Sequence, residues 1–132
     1  MLTGACFCKA VKYRVLADSA LQGLCYCTDC QIVGGSSHWV SYAVAPSDFR
    51  LVEGSLKAYA YDSASGREVV RCFCDHCGTQ IKVESTALDV VSVNGMTLDD
   101  AARFSPQLTY FSASAPRWCE VDNTLAKFEE MG

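Results

Sequence analysis

Three cysteines, Cys25, Cys27 and Cys30, fall within the stretch LCYCTDCQ (24–31). An odd cluster of thiols cannot pair off internally into disulfides. Tetrahedral zinc takes four ligands when its site is structural and three protein ligands plus an open position when it is catalytic. The stretch is therefore either one thiol short or one binding position open. Two further clusters accompany it: Cys6 and Cys8 in CFC (6–8), and Cys72, Cys74 and Cys77 in CFCDHC (72–77). In an extended strand, residues i and i+2 project from one face, so Cys6 and Cys8 can aim both sulfurs at one point. A C-x-x-C turn does the same at a chain reversal, and Gly78 after Cys77 can supply the positive φ of a tight knuckle. Two such claws brought together fill a four-cysteine site. Spacing alone leaves two partitions open. Cys6/Cys8 can join Cys74/Cys77 and leave Cys25, Cys27 and Cys30 as a second centre, or a ribbon can join Cys27/Cys30 to Cys74/Cys77.

Composition favours metal over disulfides. Nine cysteines in 132 residues would suit a disulfide framework in a small secreted protein, but in a reducing compartment that density points to metal or catalysis. The start, MLTGACFCKAVKY, has neither the basic and apolar regions nor the cleavage site of a signal peptide, so a cytoplasmic protein is expected. Fifteen acidic residues against eleven scattered basic ones give a net charge of −4, which argues against nucleic acid or an anionic membrane surface as partner. No segment approaches the roughly 18 apolar residues of a membrane span. The length predicts one domain, 1–132.

The elements that must position these thiols read as strands. AVKYRV (10–15), HWVSYAV (38–44), KAYAY (57–61), EVVRCF (68–73), TQIKVE (79–84), LDVVSVN (88–94) and QLTYF (107–111) are short, β-branched or aromatic, and separated by turn residues. They predict a mostly β, antiparallel domain. Helix is scarce, and the best candidate is TLDDAARF (97–104), with Thr97 as cap and Pro106 beyond its end, an irregular loop being the alternative reading.

The order G-x-C-x-C (4–8), A-V-K-Y (10–13), C-Y-C-T-D-C-Q (25–31), R-C-F-C-D-H-C-G-T-Q-I (71–81), VSVNGMTLDD (91–100) and APRW (115–118) resembles the glutathione-dependent formaldehyde-activating enzyme family, through nearly the whole chain. The resemblance implies the Mss4-like, β-tent fold, with antiparallel sheets organised around cysteine-ligated zinc. It implies a structural zinc held by Cys6, Cys8, Cys74 and Cys77, and a catalytic zinc held by Cys25, Cys27 and Cys30 whose fourth ligand is a substrate thiol. The activity implied is that of a carbon–sulfur lyase which forms or cleaves the S-hydroxymethyl adduct of glutathione or a related thiol with formaldehyde. The partners are then a small thiol and an aldehyde. A non-catalytic thiol carrier or a protein-interaction module of the same fold is the alternative. Lys9 stands where the family usually has Gly after the first C-x-C, and Tyr26 where His is common.

Other residues have plainer readings. His76, inside the knuckle, is read as facing solvent. His38 is read as a strand histidine, with a proton carrier at the open site as its functional alternative. Ser36 and Ser37 read as turn residues that could also hydrogen-bond substrate. Cys72 is read as a buried strand thiol and Cys119 as packing beside Trp118. Trp39, Tyr42, Phe49 and Trp118 are core aromatics by default and pocket walls otherwise.

Overall fold

Strands dominate the computed structural model, which describes residues 1–18 and 21–128. In chain order these are β1 (Leu2–Ala5), β2 (Lys12–Val15), β3 (Leu21–Cys25), helix α1 (Thr28–Gly34), β4 (Trp39–Val44), β5 (Phe49–Glu53), β6 (Leu56–Asp62), β7 (Glu68–Cys74), β8 (Gln80–Ser85), β9 (Val91–Asn94), β10 (Leu108–Tyr110) and β11 (Ala126–Phe128). They form a three-stranded sheet in the order β1-β2-β5 and an eight-stranded sheet in the order β11-β10-β3-β4-β9-β8-β7-β6.

The sheets are mixed where an antiparallel arrangement was expected. β10 runs parallel to both of its neighbours, β3 and β11, while the other pairs are antiparallel. Hairpin spacing predicts only strands that follow one another; β3 and β10 meet across most of the chain, and no local signal marks that pairing.

The helix also lies elsewhere than expected. Residues 97–104 make short 3-10 turns at Gly95–Thr97 and Ala101–Arg103, started by the side chains of Asn94 and Asp100. Thr97 caps neither; its hydroxyl lies 2.7 Å from the Tyr13 phenol and donates to the Asn94 carbonyl. Asx-type side chains compete with helix here and win. The α-helix sits instead inside the middle cysteine stretch. Cys27 caps it, its Sγ accepting from the Cys30 N–H, and Gly35 ends it in the left-handed region with its N–H on the Gln31 carbonyl.

The main core fills the space between the two sheets. Val11, Tyr13 and Val15 from the β2 region pack with Tyr42 and Val44 of β4, Ile81 of β8, Val91 and Val93 of β9, and Leu98. Strand alternation sends other residues to the opposite face of the large sheet. Trp39 of β4 and Ser92 of β9 point there and are joined by a hydrogen bond from Trp39 Nε1 to Ser92 Oγ of 2.8 Å. Cys6 and Cys74 belong to the main core, whereas Cys25 and Cys30 cluster with Trp39 on the other side. The sheet thus separates two cysteine groups.

Candidate metal centres

The first group is built from two turns. After β1 the chain reverses through Cys6–Lys9, with the Lys9 N–H on the Cys6 carbonyl. Lys9 takes a φ of 68°, the left-handed conformation that a glycine would adopt without strain. At the end of β7, the Cys74–Gly78 knuckle closes through Gly78 N–H to the Cys74 carbonyl, and Gly78 has a φ of 79°. Three backbone N–H groups point at sulfur: Val11 at Cys6, and His76 and Cys77 at Cys74. Such donors stabilise thiolate over thiol. The two turns are tied together by the Phe7 N–H, which donates to Thr79 Oγ1.

The sulfurs of Cys6, Cys8, Cys74 and Cys77 all lie within 4.8 Å of one another. Cys6 and Cys8 are 3.5 Å apart, and Cys8 and Cys74 are 3.8 Å apart. A disulfide needs about 2.05 Å, and all nine cysteines are free. Tetrahedral zinc with bonds of about 2.3 Å places its sulfurs about 3.8 Å apart. The donor set and its spacing fit such an ion. Cys77, with the Thr79 hydroxyl 3.1 Å away and backbone N–H groups around it, is held down to about 5 and is ready to ligate as thiolate.

The second group sits where β3 runs into α1. Cys25 ends β3, Cys27 is the cap and Cys30 lies in the first turn, and their sulfurs also lie within 4.8 Å of one another. Cys25 and Cys30 are buried. Gln31 fixes the helix from its other side, its Nε2 donating to the carbonyls of Tyr26 and Ser114. Val83, Tyr110 and Phe111 pack around the sulfurs with Trp39. Hydrogen bonds from Cys25 and Cys30 pull Cys27 down to about 3, and the same contacts push the Cys25 thiol up. Three crowded thiols thus share one negative charge readily and resist a second. A divalent cation removes that conflict, because cysteine ligates as thiolate. Among the described residues, no fourth His, Cys, Asp or Glu donor joins the group.

Arg71 is the residue that sequence reasoning passed over. It is only 4 % exposed and reaches from β7 to the second group, where Nη2 donates to Cys30 Sγ at 3.4 Å. Its Nε donates to the Tyr61 hydroxyl at 2.9 Å, and its guanidinium lies 5.9 Å from the Trp39 ring centroid and 5.8 Å from that of Tyr61. A signal existed: it is the lone charge inside the apolar run VVRCF.

The remaining candidates go elsewhere. His38 Nδ1 is 2.7 Å from Ser37 Oγ, its ring is tilted against Tyr26, and burial keeps its pKa below the usual histidine range. Ser36 Oγ bonds the His38 carbonyl. His76 is exposed, and its ring joins neither group. Cys72 is buried outside both groups, and Cys119 donates to the Glu120 carbonyl. Tyr42 and Phe49 pack in or against the main core, whereas Trp118 is 78 % exposed beside Gln31 and Ile32.

The model of the glutathione-dependent formaldehyde-activating enzyme family matches residues 1–114. The chain belongs to this family. Its structure is similar to the crystal structure of a Rhodobacter sphaeroides protein, with 25% sequence identity and a TM-score of 0.61 over 75% of this chain and 89% of that one. No curated protein sequence matches it. Among the described residues, the two cysteine groups could hold a metal ion, and no helix is long and apolar enough to cross a membrane.

Proposed function

We propose that this protein is a zinc-dependent carbon–sulfur lyase of the formaldehyde-activating type, forming or cleaving the S-hydroxymethyl adduct of glutathione or a related small thiol. The carrying observation is a three-sulfur group, converged and walled by aromatics, that no fourth protein donor among the described residues completes. Family membership supports the reading. On it, residues 1–132 form one Mss4-like domain, Cys6, Cys8, Cys74 and Cys77 hold a structural zinc, and Cys25, Cys27 and Cys30 hold a second, catalytic one. Cysteines used for metal rather than for disulfides favour a reducing compartment such as the cytoplasm.

Zinc at the second group would supply Lewis acidity, which favours the thiolate form of a fourth sulfur ligand at neutral pH. The chain supplies the rest. Cys25, Cys27 and Cys30 fix the geometry from a strand end and a capped helix turn. Trp39, Tyr110 and Phe111 restrict water around the sulfurs. Thiol and aldehyde held side by side need little more than orientation. The thiol sulfur adds to the carbonyl carbon, the π pair moves to oxygen, and that oxygen takes up the proton the thiol has lost. Cleavage reverses each step.

Exchange of labelled formaldehyde with its glutathione adduct, followed by NMR, tests this. Faster exchange with the zinc-loaded protein than with buffer, abolished in Cys27→Ser, is expected. Saturable thiol binding without faster exchange would instead make the protein a carrier, and no thiol binding at all would leave a closed interaction module.

A further inference from the structure

A buried guanidinium ordinarily has a carboxylate beside it, because an unpaired buried charge costs several kcal/mol. Arg71 has none. The described ion pairs, Lys12–Glu53, Lys82–Glu84 and Arg103–Asp18, lie elsewhere. Its neighbours are a sulfur, a phenol and two aromatic faces, and Nη1 is buried without a hydrogen-bond partner. The phenol oxygen accepts the hydrogen bond from Nε–H, while Nη2 points at Cys30 Sγ. Among the described residues, the group that Nη2 meets is Cys30, so the cysteine group is where an anion can answer this cation.

We infer that Arg71 is the built-in counter-charge of the Cys25/Cys27/Cys30 centre, and that it makes this centre prefer an anionic fourth ligand. The inference rests on the three cysteines being a metal centre with an open position. A dication with three thiolates carries a charge of −1, and a thiolate arriving as fourth ligand would raise this to −2 in a setting poor in water. The guanidinium cancels one of these charges. It favours metal loading and favours an anionic ligand over a neutral one. Arg71 is a positioning residue in this sense: it acts through Cys30 and through the charge of the site.

Cobalt-substituted protein, with the second site identified by comparison with Cys27→Ser, provides the test. Cobalt affinity is measured by chelator competition, and binding of 2-mercaptoethanol and of neutral imidazole is read from the visible bands at one fixed pH. In Arg71→Met, cobalt at the second site should bind about tenfold or more weakly, the range found when groups supporting metal ligands are removed. The preference for 2-mercaptoethanol over imidazole should fall by a similar factor. Arg71→Lys, which keeps the charge, should recover part of both. Tyr61→Phe, which keeps the guanidinium but frees its Nε, should shift the preference in the same direction by a few fold, and it decides the matter if Arg71→Met loses the cobalt of the four-cysteine site and hence its fold. Unchanged cobalt affinity and unchanged ligand preference in a folded variant overturn the inference. If the wild-type centre ignores thiols, the proposed function fails, and the fate of Arg71 is then decided by cobalt affinity alone.

Discussion

Cys8 Sγ lies 3.8 Å from Cys74 Sγ across 66 positions of sequence. The contact joins the turn after β1 to the end of β7, so a metal there closes a long loop and ties the small sheet to the large one. A structural zinc can contribute on the order of 10 kcal/mol of apparent binding free energy, comparable to the roughly 5–15 kcal/mol net stability of a domain. Cys74→Ser should therefore unfold much of the protein. The sulfurs of Cys25, Cys27 and Cys30 sit within one short segment, where a metal closes almost no loop. Because Cys27 also caps α1, Cys27→Ala should lose about 1 kcal/mol with the cap, whereas Cys27→Ser retains a capping oxygen. Thermal unfolding and metal content of the three variants check this; equal destabilisation, or loss of the same metal from all three, would contradict it.

Two left-handed residues in the four-cysteine group should respond with opposite signs. Gly78, at a φ of 79°, has open space where a Cβ would go, so Gly78→Ala meets only the conformational cost of about 1–2 kcal/mol. Lys9 already bears that cost at a φ of 68°. Lys9→Gly removes it but adds unfolded-chain entropy of roughly 0.4–1 kcal/mol, leaving a small net stabilisation. Urea denaturation of the metal-loaded variants measures both, and a destabilised Lys9→Gly would show that the lysine side chain supports the turn.

Alkaline pH should weaken the core through Tyr13. Burial pushes its phenol from the ordinary 10.0 up to about 12, against the opposing effect of its hydrogen bond with Thr97. Above pH 10 the unfolded chain ionises first, so the stability this phenol holds below pH 10 is lost as pH rises toward 12. The loss amounts to roughly 2–3 kcal/mol in full and about 1 kcal/mol by pH 11. Denaturant midpoints at pH 9 and pH 11 should separate by that much more in the wild type than in Tyr13→Phe. Equal separations would mean the phenol is not held protonated.

Much of the fold was legible because the strand runs are β-branched and bounded by turns. EVVRCF and KAYAY lie in β7 and β6, which pair as an antiparallel hairpin. The segments β1 (LTGA) and β3 (LQGLC) gave no such signal; glycine and glutamine interrupt them, and tertiary pairing makes them strands. Helix α1 was hidden because Cys27 serves as a cap, a role that ordinary capping residues announce and cysteine does not. Spacing left the grouping of cysteines open between two partitions; in the structure Cys27 and Cys30 lie with Cys25, and Cys74 and Cys77 lie with Cys6 and Cys8. The lone charge of Arg71 in VVRCF marked it as unusual, but nothing local tied it to Cys30, because that contact spans 41 positions.

Trp39 should report on the second centre from inside. The chain has two tryptophans: Trp39 is 6 % exposed and clustered with Cys25 and Cys30, while Trp118 is 78 % exposed. In Trp118→Phe the emission comes from Trp39 alone and should lie at the short wavelengths of a buried indole. Cobalt absorbs in the visible and couples to excited indole only at short range, so loading it at Cys25, Cys27 and Cys30 should quench that emission. Zinc, with a filled d shell, should leave most of it. Cys27→Ser in the same background should abolish the cobalt effect while the cobalt bands of the four-cysteine group persist. Quenching that survives Cys27→Ser would assign the effect to the other group, across the sheet, and emission untouched by a loaded second site would contradict the packing of Trp39 against these sulfurs.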